Sequence, residues 1–247
     1  RLFKQGTTTT DLDWEPLDLG EINEFVKYSW YEDSTTGRHP FEGETEPVPD
    51  KAGGYSWLKA PRYKKQVHEV GPLARIAVSY AAGVPAVKEA VDGVLSHFNA
   101  PPSALFSVLG RHAARALCAL IIARNLEEWV LSLKPGEPAY VDHEIPDEGT
   151  GVGIVDAARG ALGHWIVIKD KRIDKYQCVV PTTWNASPMD DMGNHGPIEQ
   201  ALIGTKIRDV DNPFEIVRIV RSFDPCIACA VHLLNHKGRE IRRYRVS

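Results

Sequence analysis

Two cysteines and a histidine near the end of the chain form its most distinctive chemical pattern. Cys226 and Cys229 lie three residues apart, and His232 follows three residues later. Both sulfurs can face one metal, and soft thiolates suit nickel, iron, copper and zinc better than magnesium or calcium. The spacing is equally typical of half a zinc knuckle, a thioredoxin-like redox pair or two reduced core cysteines. It excludes c-type haem attachment, which needs the histidine directly after Cys229.

The remaining ligands of such a site are not evident in the sequence. Two sulfurs cannot complete a buried metal site, and the only other cysteines are Cys118 and Cys178. Further ligands are expected from elsewhere in this chain or from a segment outside it. Because the first residue is Arg1 and no second CxxC occurs, we expect these 247 residues to be a fragment. Cys118 lies in an apolar stretch and is expected in the core.

The segment around the cysteines resembles the C-terminal signature of nickel-iron hydrogenase large subunits. The run from Arg221 to His232 reads RSFDPCIACAVH, and further blocks that resemble the family precede it in the same order. Together they extend from about residue 20 to the end, and they are most similar to the membrane-associated uptake branch. The preceding blocks are YSWLKAPRY (55–63) with GPLAR (71–75), GRHAAR (110–115), RGALGHW (159–165) and VVPTTWN (179–185).

This resemblance implies a nickel held by four cysteine thiolates, two of which bridge to an iron that carries cyanide and carbon monoxide. Cys226 would be a terminal nickel ligand and Cys229 a bridging one. Thr182, with Pro181 before it, would contact an iron-bound cyanide. His232 and the backbone carbonyl of Cys178 would bind a structural magnesium or iron ion.

The resemblance also implies catalytic roles for Arg159 and Asp224. Arg159 would place its guanidinium over the open position between the metals, and Asp224 would orient it. Splitting hydrogen needs a polarising or basic group within reach of the bound molecule. From the residues alone, Arg159 is a surface arginine at the start of a strand and Asp224 caps a turn before Pro225. The family usually has proline where this chain has Ala158.

The implied function is hydrogen oxidation, with electrons passed to an iron-sulfur small subunit. The chain alone is expected to be inactive without the N-terminal half of the large subunit, and the resemblance also implies a membrane cytochrome b as a partner. A maturation endopeptidase would remove residues 233–247, leaving residues 1–232 as the C-terminal part of the subunit; the alternative is an ordinary solvated C-terminal strand that is not removed. We expect a cytoplasmic precursor that is exported with the small subunit to the periplasmic side of the membrane.

Two alternatives belong to other functional classes. One is a non-catalytic relative of the complex I quinone-site subunit, against which the retained cysteines and histidine argue. The other is an isolated zinc or redox module. The net charge of −4, with 29 basic residues spread along the chain, argues against nucleic acid as a partner. The longest apolar run, Ala113 to Ala123, is interrupted by Arg115 and is too short to span a membrane.

The periodicity predicts an α+β fold, mainly α, with long buried helices and a small β-hairpin. The hairpin is expected from His164–Ile168 and Tyr176–Val180, while residues 1–20 and Tyr31–Arg62 are expected to be irregular. A polar network of Arg111, His112 and Arg115 is expected inside the longest helix. The predicted helices are Glu21–Tyr31, Gly71–Ala82, Pro85–Phe98, a long helix from a Ser103 cap to about Leu133, Pro197–Ile203 and Pro213–Arg221.

Overall fold

A computed structural model describes residues 2–226, 229–234 and 240–246, the last two ranges by their backbone alone. Contacts between residues divide the chain into two compact units. The first unit consists of Arg1–Leu17, Pro72–Gly153 and His164–Gln177, and the second of Asp18–Gly71, Ile154–Gly163 and Cys178–Ser247.

Short strands, and not a helix, form the beginning of the chain. Strands β1 (Thr7–Thr8) and β2 (Trp14–Glu15) pair within the region expected to be irregular. The helix predicted for Glu21–Tyr31 is wrong, because β3 (Ile22–Phe25) pairs antiparallel with β4 (Ala60–Tyr63). Side chains on both faces of β3 are buried, so its apolar residues do not alternate as in a half-exposed strand, and their spacing also fits a helix. The partner strand lies far along the chain, where local periodicity gives no information about it.

Three helices form the core of the first unit. The predictions for α1 (Pro72–Ala81) and α2 (Pro85–His97) are confirmed. The long helix α3 (Val108–Leu131) begins later than predicted, because the Ser107 hydroxyl, and not Ser103, accepts the capping bond from Gly110 N at 3.0 Å. The buried contacts among the three helices involve Leu73, Ile76, Val87, Val91, Leu117, Cys118 and Ile121.

The polar network predicted inside α3 is wrong. His112 is exposed and Arg111 and Arg115 are half-buried, so these groups do not occupy the helix core. Arg115 Nη1 lies 3.4 Å from His112 Nδ1 near the surface. Cys118, in contrast, is 3% exposed and belongs to the core as predicted. None of the helices in the described part of the chain is long and apolar enough to span a membrane.

A three-stranded sheet contains the predicted hairpin and adds one strand to it. Strands β5 (Glu148–Ala157), β6 (Gly160–Lys169) and β7 (Arg172–Val179) lie in that order, with β6 in the centre. The predicted hairpin corresponds to β6 and β7. Its two-residue turn uses Asp170 and Lys171, both with positive φ (51° and 58°), which matches the twist of adjacent strands. Strand β5 was not predicted, because its three glycines weaken the apolar alternation that indicates a strand.

Short elements complete the second unit. Helix α4 (Pro181–Asn185) follows β7, and the predictions for α5 (Pro197–Leu202) and α6 (Phe214–Ser222) are confirmed. Strand β8 (Cys229–Leu234) then pairs antiparallel with β9 (Glu240–Val246). Six α-helices accompany nine strands in the described ranges, so the mainly helical balance expected from the sequence is not confirmed.

Candidate metal centre

Cys226 lies just beyond α6, and the preceding turn determines its position. Val217 and Val220 of α6 pack with Ile198 and Leu202 of α5, which fixes the end of α6. Two residues beyond α6, Asp224 adopts a left-handed conformation (φ 53°) and its N–H donates to Arg221 O at 3.0 Å. This reversal leads the chain through Pro225 to Cys226, whose thiol is free and exposed.

A threonine in α4 binds the backbone of Cys226. Cys226 N donates to Thr182 Oγ1 at 2.9 Å, and Thr182 is only 9% exposed. Pro181 occupies the first turn of α4, where its missing N–H costs nothing. A hydroxyl that accepts one hydrogen bond keeps its own proton available as a donor. Thr182 therefore lies beside the first cysteine of the motif with an O–H that can serve a second group.

Arg159 and Asp224 form the ion pair that the resemblance implies. Arg159 Nε lies 3.5 Å from Asp224 Oδ1, and the side chains are 43% and 37% exposed. A pair at this exposure contributes little to stability because water screens it. Its geometric effect is larger, since it joins the β5–β6 turn to the residues that lead into Cys226.

The backbone beside Arg159 is closely packed. Gly160 (φ +131°) and Gly71 (φ +128°) both adopt conformations that side-chain-bearing residues rarely adopt. A Cβ on Gly160 would lie 2.6 Å from Gly71 N, and one on Gly71 would lie 3.2 Å from Arg159 O. Glycine at both positions thus allows the 70–71 segment to touch the backbone that carries Arg159.

The structure describes the other predicted ligands only in part. The side chains of Cys229 and His232 lie outside the described residues, although their backbones belong to β8. Cys178 is half-buried, and burial, followed by the charge of Glu24, raises the pKa of its thiol. No group of three metal-binding side chains converges within the described ranges.

A set of buried charges near Cys178 was missed by the sequence reasoning. Glu24 and Lys59 are 3% and 7% exposed, and Lys59 Nζ donates to Glu44 O at 3.1 Å. Burial lowers the pKa of Lys59, and the negative charge of Glu24 opposes that shift. Burial and Glu24 both raise the pKa of Tyr31. Because Glu24 lies in the segment interpreted as a helix, no sequence signal placed it beside these residues.

A second feature that was not predicted from the sequence is the fully buried ion pair between Arg62 and Asp190. Arg62 Nε donates to Asp190 Oδ2 at 2.6 Å, and neither side chain has any exposed surface. The other guanidinium nitrogens donate to Ser187 Oγ and to the carbonyls of Pro61, Pro188 and Asn194. Arg62 belongs to the YSWLKAPRY block, but an arginine beside a tyrosine gives no indication of burial. Its partner is 128 residues away.

The described residues fit the metal group that the resemblance implies. Cys226 offers an accessible thiol, the soft donor that nickel and iron accept, on a backbone that Thr182 fixes. Thr182 offers a buried hydroxyl donor, and such donors suit small anionic ligands in an apolar site. Arg159 places a cation beside Asp224, which lies two residues before Cys226 in the motif.

Comparisons with known proteins identify the family of the chain. Residues 1–232 match the nickel-dependent hydrogenase family. The uptake hydrogenase large subunit of Bradyrhizobium diazoefficiens is 45% identical, over 92% of this chain and 43% of that protein. The periplasmic NiFeSe hydrogenase large subunit of Desulfomicrobium baculatum is 44% identical, over 97% of this chain and 47% of that protein.

A solved structure gives the same result for the fold. The Ni-Fe-Se hydrogenase of D. vulgaris Hildenborough matches with a TM-score of 0.80 and 39% identity, over 92% of this chain and 48% of that one. The chain therefore spans less than half the length of these relatives. The family model covers most of its residues, and the chain belongs to the nickel-dependent hydrogenase family.

Proposed function

We propose that the whole protein oxidises hydrogen at a nickel-iron centre and that this chain supplies half of the centre's thiolate ligands. The observation that carries the proposal is the connected geometry of the motif. Cys226 is bound through its backbone to Thr182, and Asp224, two residues earlier, pairs with Arg159. Three separate sequence blocks thus meet around one accessible thiol.

In this proposal the thiolates of Cys226 and Cys229 would hold the nickel-iron group. The remaining two thiolates come from a second cysteine pair that is not among these 247 residues. Thr182, preceded by Pro181, accepts from Cys226 N and keeps its own O–H, which would donate to a cyanide carried by the group. When bound, the nickel-iron group supplies the site at which hydrogen is split and its electrons are removed.

Arg159 acts on the reaction through its fixed positive charge. A guanidinium stays protonated at all working pH values and presents several donors in one plane. Held by Asp224 at 3.5 Å, it stabilises negative charge that develops on the reacting molecule without having to reorient. Asp224 is the orienting partner, and its carboxylate lies beside Arg159 in the β5–β6 turn.

A second ion completes the proposed metal content. His232 and the backbone carbonyl of Cys178 bind magnesium or iron near the C-terminus. Oxygen and nitrogen ligands suit such an ion better than a thiol does.

The proposed partners are the rest of the large subunit and an iron-sulfur small subunit that accepts the electrons, with a membrane cytochrome b beyond it. The site of action is the periplasmic side of the membrane, reached by export with the small subunit from a cytoplasmic precursor. An endopeptidase removes residues 233–247 after the metals are in place. The family match, which ends at His232, supports this boundary.

Metal analysis of the complete complex tests the proposal. The large subunit, with this chain in its full context, is co-produced with the small subunit and the maturation proteins. We expect nickel and iron in the purified complex, and Cys226→Ser to remove the nickel. Cys118→Ala is the matched control, because that buried thiol lies in the helical core, and it should retain the metals.

A second variant separates the arginine's role from metal binding. Arg159→Met should keep the nickel content and lower hydrogen oxidation by roughly 10²- to 10³-fold, the range found for loss of one preorganised charge-stabilising donor. Zinc alone in the wild-type complex would support the zinc module instead. A metal-free complex would support the non-catalytic relative.

A further inference from the structure

The side-chain amide of Asn185 binds the backbone of a single residue in a distant segment. Its Oδ1 accepts from Val70 N at 3.0 Å, and its Nδ2 donates to Val70 O at 2.8 Å. Asn185 is 3% exposed and ends α4. Both polar groups of Val70 are therefore satisfied by one carboxamide, much as a neighbouring strand would satisfy them.

The fixed segment touches the backbone that carries Arg159. Gly71 follows Val70, and it contacts the Arg159–Gly160 backbone so closely that a Cβ has no room at Gly160 and only a tight fit at Gly71. A Cβ on Gly160 would also lie 3.0 Å from the carbonyl carbon of Val70. Displacement of Val70 therefore displaces the backbone at residue 159, since closely packed interiors transmit small shifts.

The same helix also binds the cysteine. Three residues before Asn185 in α4, Thr182 accepts the N–H of Cys226. Helix α4 thus fixes two routes to the site, one through Thr182 to Cys226 and the other through Asn185 and Val70 to Arg159. The two connections meet at the 3.5 Å contact between Arg159 and Asp224, which lies two residues before Cys226.

We infer that Asn185 is a positioning residue that sets Arg159 relative to the thiol of Cys226. The inference rests on the proposed function, in which the guanidinium must lie over the reacting position. A misplacement of about 1 Å in such a group costs up to roughly 10²-fold in turnover. Asn185 contacts none of the reacting atoms in this proposal and acts only through Val70 and Gly71.

The substitution Asn185→Asp provides a test that can be reversed by pH. The carboxylate keeps an acceptor for Val70 N, but it has no donor for Val70 O and repels that carbonyl. When the pH falls and the carboxyl takes up its proton, the new O–H restores a donor of nearly the same shape. Asn185→Ala lacks both groups at every pH.

The variants are measured in the complete complex, with nickel content as the check on assembly. For Asn185→Asp we expect turnover lowered tenfold to 10²-fold at neutral pH, with an unchanged KM for hydrogen and a new recovery towards acid pH. Asn185→Ala should be lowered at all pH values. The matched control is Asn125→Asp in α3, where the amide donates to Ile121 O of the same helix at 2.7 Å, and it should follow the wild-type profile.

Amide hydrogen exchange provides a readout that is independent of turnover. Peptides that contain Val70 should exchange faster than wild type in Asn185→Asp at neutral pH, and the difference should disappear in acid. If the Asn185 variants assemble poorly, Gly71→Ala tests the same connection from Asn185 to Arg159. This substitution leaves Asn185 in place and disturbs the contact between residue 71 and Arg159 O. It should lower turnover without changing KM.

Two results overturn the inference. A nickel-loaded Asn185→Asp complex with the turnover and pH profile of Asn125→Asp overturns it while leaving the proposed function intact. A wild-type complex without nickel or hydrogen oxidation overturns the proposed function and the inference together.

Discussion

The buried ion pair between Arg62 and Asp190 allows a quantitative test of how the second unit is held together. Asp190→Asn removes the negative charge and keeps the shape of the side chain. Asp190 Oδ1 accepts from the N–H groups of Met192 and Asn194, and an amide oxygen can keep both bonds. The amide nitrogen then faces Arg62 Nε, so two donors meet where 2.6 Å now separates donor and acceptor.

The expected loss follows from what remains buried. Both side chains have no exposed surface, so the substitution leaves a guanidinium without its counter-charge in a site that water cannot reach. Breaking such a pair costs about 3–5 kcal/mol, whereas replacing both partners with apolar residues often costs little. We therefore expect Asp190→Asn to lower the free energy of unfolding by about 3–5 kcal/mol. The double variant Arg62→Met with Asp190→Leu should lower it by less than the sum of the losses caused by Arg62→Met alone and Asp190→Leu alone.

Urea unfolding followed by tryptophan fluorescence measures this difference, since the chain has six tryptophans. The control is Asp92→Asn, which removes one partner of the exposed Lys88–Asp92 pair and should change little. A loss below about 1 kcal/mol for Asp190→Asn, or strict additivity in the double variant, would refute the reasoning.

The pH dependence of the same pair gives an independent check. Burial by itself would raise the pKa of Asp190, but the hydrogen bonds from Asn194 and Arg62 outweigh it and hold the pKa below the ordinary value of 3.8. A lowered carboxyl pKa contributes stability above that ordinary value, and the contribution is lost as the pH falls through the folded-state pKa. The wild type should therefore lose stability in acid more steeply than Asp190→Asn.

Three further predictions concern the candidate centre. Gly160→Ala should destabilise the fold by about 1–3 kcal/mol in urea unfolding, because its left-handed φ is strained for alanine and the new Cβ meets the backbone; wild-type stability would contradict the close approach. Thr182→Val should speed amide exchange at Cys226 relative to Thr182→Ser, since only serine keeps the acceptor; equal rates would argue against this bond. Iodoacetamide in the metal-free chain should alkylate exposed Cys226 before half-buried Cys178, whose raised pKa keeps the thiol protonated; the reverse order would contradict the described burial.

Local signals predicted the elements whose ends are fixed by nearby residues. Prolines at the first turn predicted α1, α2 and α5, and the charged segment between two apolar runs predicted the β6–β7 hairpin. The family resemblance directed attention to Arg159 and Asp224, and the structure brings them together. These features depend on few residues or on a motif retained as a block.

Elements that depend on distant partners were missed or misassigned. Strand β3 was interpreted as a helix because its pairing with β4 is set by residues about 40 positions away. The burial of Arg62 depends on Asp190, and the role of Asn185 depends on Val70. In each case the decisive interaction joins segments that neither periodicity nor spacing relates.

Helix α3 has a consequence for handling the protein. Its last turns leave large apolar side chains open to water, among them Leu126 at 50%, Val130 at 61% and Leu131 at 77% exposure. Apolar patches of this kind promote self-association. In dilute buffer the isolated chain should bind a dye such as ANS and precipitate early on addition of ammonium sulfate, so yield during purification will be governed by these last turns of α3.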